Sequence, residues 1–270
     1  VGFVKYLFIN GSFRKGNTWK LVEKVRLNLL RLDRGAEIKE IHLSELQLPL
    51  CIGCSNCFRL GGEKCPHYDK VSSVINAIAD ADGVIVASTT YNMRETALLK
   101  NLFDHLCFML HRPYFFKSRA LVLTTTGGVG AKVAAKSIVS MLRGIGFNRC
   151  YSLSTASFSW NAYEPKAETV KKLSKIAEWF YRDAASQKLY HPSTDVLIPY
   201  NLFRGMSLAY APGSEYETED GRHWTQAARK KRVYDEAVPV GVFQKPVGHL
   251  FYWIGKTAGK MKSMQVTYKK

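Results

Sequence analysis

The chain has 270 residues, enough for one full α/β core with an extension, or for two small domains. A hydrophobic fraction of 46% excludes disorder along the whole length, and no apolar run is long enough to cross a bilayer. The net charge of +17 is spread along the sequence with no nucleic-acid motif beside it, so a basic surface is favoured over nucleic-acid binding.

The first residues, VGFVKYLFING, enter a strand-like pattern directly, with no signal-peptide layout and no initiator Met. Residues 4–9 form a short apolar strand, and 18–32 a helix with Leu21, Val25, Leu29 and Leu32 on one face. Residues 36–43 alternate as a strand. A loop over 44–68 carries four of the six cysteines, and Asp69 then opens a helix with Val71, Val74, Ile75 and Ile78 inward. The run GVIVA at 83–87 suits a strand buried on both faces. A loop (88–94), a helix (about 95–110), a second buried strand (120–124), the loop TTGGVG and a helix to Gly144 follow. A weaker strand at 150–154 and a long helix at 165–189 complete five alternations.

Such alternation predicts a doubly wound parallel sheet, whose ligands lie beyond the carboxyl ends of the strands. The loops 10–18, 88–95 and 125–131 are therefore the candidate binding loops, and all are rich in Gly, Ser, Thr or Asn. Beyond Tyr190 the sequence is aromatic, proline-punctuated and irregular. It ends in a helix-like basic stretch, HLFYWIGKTAGKMKSM. Residues 1–189 thus read as one domain and 190–270 as an extension.

The stretch FINGSFRKGNTWKL is one residue away from a nucleoside-triphosphate loop, with Asn17 where the lysine should stand. A strand-to-helix loop still offers backbone N–H groups at the positive end of a helix dipole. Ser12, Asn17 and Thr18 add neutral donors, and Arg14 and Lys15 add charge. Without the lysine the loop suits a single terminal phosphate bound without metal, such as that of a flavin mononucleotide. An ordinary glycine turn with a Thr cap is the plain alternative.

GSFRKGNT resembles the GSPRKGNT-type loop of the flavodoxin-like NAD(P)H-dependent FMN reductases, with Phe13 in place of proline. STTYNMRETALLKNLFDHL resembles the second flavin loop of that family, with Tyr91, Lys100 and Asp104 on its marked positions. TTTGGVG resembles the third. The likeness covers about residues 4–185. It implies a five-stranded sheet in the order 2-1-3-4-5, FMN as cofactor, NAD(P)H as reductant and a homodimer. It further implies that Ser12, Arg14, Asn17 and Thr18 hold the phosphate, that Thr90, Tyr91, Asn92 and Met93 follow the ribityl chain and ring edge, and that Thr125, Thr126, Gly127 and Gly128 meet the isoalloxazine. Close backbone approach at such glycines, with N–H groups at the ring edge, favours the reduced flavin.

Cys51, Cys54, Cys57 and Cys65 have the spacing C-x2-C-x2-C-x7-C, followed by Pro66. Compact thiolates of this kind can converge on one cluster. The segment resembles that of the iron–sulfur flavoproteins, which implies a [4Fe–4S] cluster beside the FMN. Zinc and unligated thiols remain open as alternatives. With no secretion signal, metal or redox chemistry is favoured over a disulfide framework, and a cytoplasmic setting is expected. Cys107 and Cys150 read as small core residues. The seven histidines show no ligand spacing, and no protein catalytic residue is assigned because the cofactor carries the chemistry.

The expected function is therefore an FMN-dependent NAD(P)H oxidoreductase with a small-molecule or protein electron acceptor. A non-enzymatic flavin or iron–sulfur electron carrier is the main rival, and a regulatory protein that has lost its flavin is another. The final basic segment reads either as docking its aromatics on the core or a second copy, or as a peripheral contact with an anionic membrane.

Overall fold

The computed structural model describes residues 3–269. Five strands form one parallel sheet: β1 (Lys5–Asn10), β2 (Glu37–His42), β3 (Gly83–Thr89), β4 (Arg119–Thr126) and β5 (Arg149–Ala156). Their order, β2-β1-β3-β4-β5, is the flavodoxin-like one that the resemblance implies. The sheet is flanked by α1 (Asn17–Leu32), α2 (Tyr68–Asp80), α3 (Ala97–His105), α4 (Ala131–Gly144) and α5 (Ala167–Ser186).

The period of two along each strand sorts the apolar residues into two layers. Leu7, Ile9, Val84, Val86, Ala120 and Val122 face α2, α3 and α4, where Val74, Ile78, Leu102 and Ile138 receive them. Tyr6, Phe8, Ile85, Ala87, Leu121 and Leu123 face α1 and α5, against Val22, Val25, Leu29, Leu173 and Phe180. Burying each large apolar side chain contributes roughly 1.5–3 kcal/mol before entropy is charged against it. These two layers fix the sheet and so fix where its loops emerge.

The helix expected over 95–110 is shorter. Thr96 caps it by accepting a hydrogen bond from the Leu99 N–H at 3.3 Å, it ends at His105, and a tighter helical turn (Cys107–Leu110) follows. The extension is more regular than its prolines indicate: α6 (Thr194–Met206), α7 (Glu219–Thr225) and α8 (Gln244–Lys260) form within it. Phe116 from the sheet domain joins Leu197, Tyr200, Trp224, Tyr234 and Val238 in a third apolar cluster, which holds α6 although Pro199 lies inside it. Helices α6 and α8 meet at glycines. A Cβ on Gly205 would lie 2.3 Å from the Tyr252 carbonyl oxygen, and one on Gly255 would lie 2.3 Å from that of Leu202. The extension attaches at the amino ends of the strands: the Asn148 amide donates to the Tyr190 carbonyl (2.9 Å), and Arg143 at the end of α4 pairs with Asp195 (2.8 Å). Among the described residues no helix is long and apolar enough to cross a membrane.

Candidate functional site

At the carboxyl end of the sheet the chain turns sharply after β1. The Gly11 N–H donates to the Ala87 carbonyl (2.8 Å), and the Ser12 N–H donates to Asn10 Oδ1 (3.0 Å). Ser12 Oγ in turn accepts from the Thr89 N–H (3.1 Å), so the first loop is tied to the end of β3. Helix α1 then begins with Gly16 at its cap. No side chain caps that end, and no acid stands in its first turn. The positive end of the dipole is left for an external anion. Lys15 is drawn away to Glu40 (3.1 Å) and lies over Trp19. Burial raises the Glu40 carboxyl, but hydrogen bonds from His42, Lys15 and Arg26 outweigh it and hold the group below the usual carboxylate range. Arg14 remains exposed at the loop with no ion pair among the described residues.

Beneath the loop lies a small hydroxyl network. Thr18 Oγ1 is 2.5 Å from Thr125 Oγ1 and 3.2 Å from Thr89 Oγ1. Beside it the chain from Tyr91 to Arg94 forms a tight turn, with hydrogen bonds in both directions between its ends (3.0 and 2.9 Å). Asn92 and Met93 take left-handed φ values of 49° and 62°, the pair that such a turn demands. The turn holds Tyr91 outward, 63% exposed.

A cavity of about 740 Å³ opens over these loops, within the range of small-molecule sites. Of the residues singled out from sequence, Ser12, Arg14, Asn17, Thr90, Tyr91, Thr126, Gly127 and Gly128 line it. Thr18 and Thr125 lie buried in the hydroxyl network, and Asn92 and Met93 form the turn beside it. The loop 157–160 after β5 also lines it, which sequence reasoning missed. The Asn17 amide donates to the Ser159 carbonyl at 2.8 Å, latching this loop to the start of α1. Phe158 sits there at φ 46°, a costly value for a large residue, while its N–H donates to the Gly127 carbonyl (3.1 Å). A signal was present: β5 ends on the same edge as β1, β3 and β4, and two aromatics follow it at once.

The cavity fits a phosphorylated planar ligand. Thr90 Oγ1 and Asn17 Oδ1 are buried without a hydrogen-bond partner among the described residues. A Cβ on Gly127 or Gly128 meets no atom within 4 Å, so the backbone there faces open space. Buried polar atoms of this kind are normally satisfied, here by a ligand or by water.

A second constellation lies on the flank of α3. Asn101 anchors the cysteine loop: its Oδ1 accepts from the Cys51 N–H (3.0 Å), and its amide donates to the Leu48 and Pro49 carbonyls (3.1 and 3.0 Å). Buried Arg112 donates to the Cys57 carbonyl (2.6 Å) and is paired with Asp220 from α7. Cys51 and Cys54 are exposed, and Cys57 and Cys65 are half-buried. Burial raises the Cys65 thiol. The His67 N–H opposes this, and the nearby thiols of Cys57, Cys54 and Cys51 add to it. A hydrogen bond with Cys107, then burial, raises Cys57, and the same bond outweighs burial to lower Cys107. Cys107, half-buried, thus stands beside Cys57 at the edge of the cysteine loop. Burial of the Cys150 thiol pushes it up to about 12, which keeps it inert. A cation bound beside Cys65 would answer the opposition that thiol meets from its three neighbours.

The histidine expectation needs correction. Ligand atoms of Cys65, His67 and His105 lie within 4.8 Å of one another. His105 Nδ1 faces the Asn101 carbonyl (2.8 Å), to which it can only donate, so in the neutral ring Nε2 accepts from His67 Nδ1 (2.9 Å). The fold of α3 makes this pair across 38 residues, which no linear spacing shows.

A family described as NADPH-dependent FMN reductase matches residues 4–163. An iron–sulfur flavoprotein of Clostridioides difficile is 37% identical over 175 residues, covering 64% of this chain and 76% of that protein. An iron–sulfur flavoprotein of Methanosarcina thermophila is 25% identical over 190 residues, covering 65% and 96%. Among solved structures, an apo NADH:FMN oxidoreductase (EMOB) aligns with a TM-score of 0.50 at 23% identity, covering 70% of this chain and 97% of that one, which bears on the fold alone.

Proposed function

The chain belongs to the NADPH-dependent FMN reductase family, and from that premise we propose how its residues serve an FMN-dependent NAD(P)H oxidoreductase. The observation that carries the reading is the cavity over the carboxyl ends of β1, β3 and β4, entered by an uncapped α1 with no acid in its first turn. Ser12, Arg14 and the first N–H groups of α1 hold the phosphate, with Asn17 and Thr18 fixing the loop around it. Thr90, Tyr91, Asn92 and Met93 follow the ribityl chain and ring edge. Thr126, Gly127 and Gly128 meet the isoalloxazine, with Thr125 in the hydroxyl network beneath them. Bound FMN supplies hydride acceptance from the reduced nicotinamide and onward electron transfer. The chain's own part is to bind the phosphate, orient the ring and exclude water beneath it.

Cys51, Cys54, Cys57 and Cys65 hold a [4Fe–4S] cluster in this reading, which their compact spacing and the names of the relatives support. The acceptor is a small molecule or a protein. The exposed rim of Phe13, Val129, Phe158 and Trp160, each 73–89% accessible, is the surface on which a second copy would close the cavity as a homodimer.

Anaerobically purified protein, reconstituted with FMN, should show two visible flavin bands and oxidise NAD(P)H. A cluster adds broad absorption that bleaches on reduction, and iron and sulfide assays separate it from zinc. Replacing Asn17 and Thr18 together with alanine removes the latch to Ser159 and the hydroxyl network, and should weaken FMN binding at least about tenfold, on the order of 1.4 kcal/mol. Unchanged FMN affinity in that variant would contradict the loop assignment.

A further inference from the structure

Helix α8 docks by its glycines, with Tyr252 packed on Arg204, and turns Leu250 and Trp253 outward. Gly248, Gly255 and Gly259 are buried against α6 and the chain beside it. On the opposite side Leu250 is 54% exposed and Trp253 64%, with Phe243 at the helix start (93%) and Met261 at its end (53%). At 100° per residue these four, with Ile254, form one outward stripe. Lys245, His249, Lys256 and Lys260 are exposed along one flank of that stripe. Lys262 and Lys269 continue the charge, and no acidic residue follows Glu236.

We propose that this face of α8 lies on an anionic phospholipid surface, with the apolar stripe at the acyl boundary and the lysines on headgroup phosphates. Intramolecular docking does not account for the stripe, because the glycines on the other face already provide it. Charge decides between lipid and a second copy. A two-fold pairing of these faces would set lysine flank against lysine flank if antiparallel and leave both flanks without a counter-charge if parallel, because this segment carries no acid. An apolar face with two aromatic anchors, Phe243 and Trp253, and a lysine border is the pattern of a helix lying in a membrane interface. The inference is independent of the flavin and cysteine assignments.

The test is co-sedimentation of the FMN-loaded full chain with phosphatidylcholine vesicles, with and without phosphatidylglycerol. Binding should require the anionic lipid and weaken steeply as salt rises from about 0.05 to 0.3 M. Charge reversal in Lys256→Glu/Lys260→Glu should reduce partitioning at least about tenfold. Leu250→Ser/Trp253→Ser should abolish it, while flavin content and circular dichroism stay unchanged. Wild-type protein that stays in the supernatant with anionic vesicles would overturn the proposal. So would equal binding to neutral vesicles, or a Leu250→Ser/Trp253→Ser variant that only converts a dimer to a monomer in sedimentation velocity.

Discussion

His223 shows how one ring can make the extension sensitive to acid. Burial, and then the charges of Arg229 and Arg112, push it down to about 3 from 6.5. Its Nε2 accepts from Arg229 (3.0 Å), so the folded state holds it neutral. Between these two values the unfolded chain binds a proton that the folded chain does not. Its contribution is therefore whole above about pH 6.5 and is lost as pH falls toward 3, by at most about 1.4 kcal/mol per unit and less for a ring not fully enclosed. The unfolding temperature should drop between neutral pH and about pH 4.5, and His223→Gln should flatten that drop. An equally steep drop in the variant would locate the acid sensitivity elsewhere.

Among the elements, periodicity made the sheet domain legible, because buried parallel strands have to be apolar almost throughout. The three loops 10–18, 88–95 and 125–131, which supply walls of the cavity, were legible for a related reason: glycines and hydroxyls at strand ends are costly unless a ligand or turn uses them. Phe158 was not legible, since nothing in its sequence signals a left-handed backbone. Helix α6 was hidden by Pro199, and only the packing of Leu197 and Tyr200 on Phe116 reveals why it forms. Nor does the sequence indicate that α8 would bury glycines and expose a tryptophan. That arrangement predicts the effect of Gly255→Leu. A side chain there would meet the Leu202 backbone, which cannot yield like a flexible side chain, so α8 should lift from α6. Limited proteolysis should then cut between α7 and α8, whereas FMN affinity should be unchanged. Unaltered resistance to the protease would mean that α8 is held by other contacts.

Across the whole molecule, the extension and the cysteine loop are mechanically joined. Asp220 on α7 neutralises buried Arg112, and Arg112 grips the Cys57 carbonyl. Removing the carboxylate in Asp220→Ala leaves a guanidinium buried without its counter-ion, which costs about 3–5 kcal/mol. The urea midpoint should fall, and the thiols of residues 51–57 should react faster with a thiol reagent; under the proposed cluster assignment, iron per chain after reconstitution should drop as well. A midpoint equal to that of the parent protein would show that Arg112 finds another partner. The visible flavin bands should survive, since no residue of this link lines the cavity proposed for FMN.

The sheet order also dictates a sequence of events during synthesis. The walls of the cavity come from residues 12 to 160, so a nascent chain cannot enclose its cofactor until the loop after β5 has left the ribosome. The carboxylate that settles Arg112 is translated 108 residues after it. The cavity is thus complete while the cysteine loop still awaits its brace, and the folding of the two is staggered by the direction of translation itself.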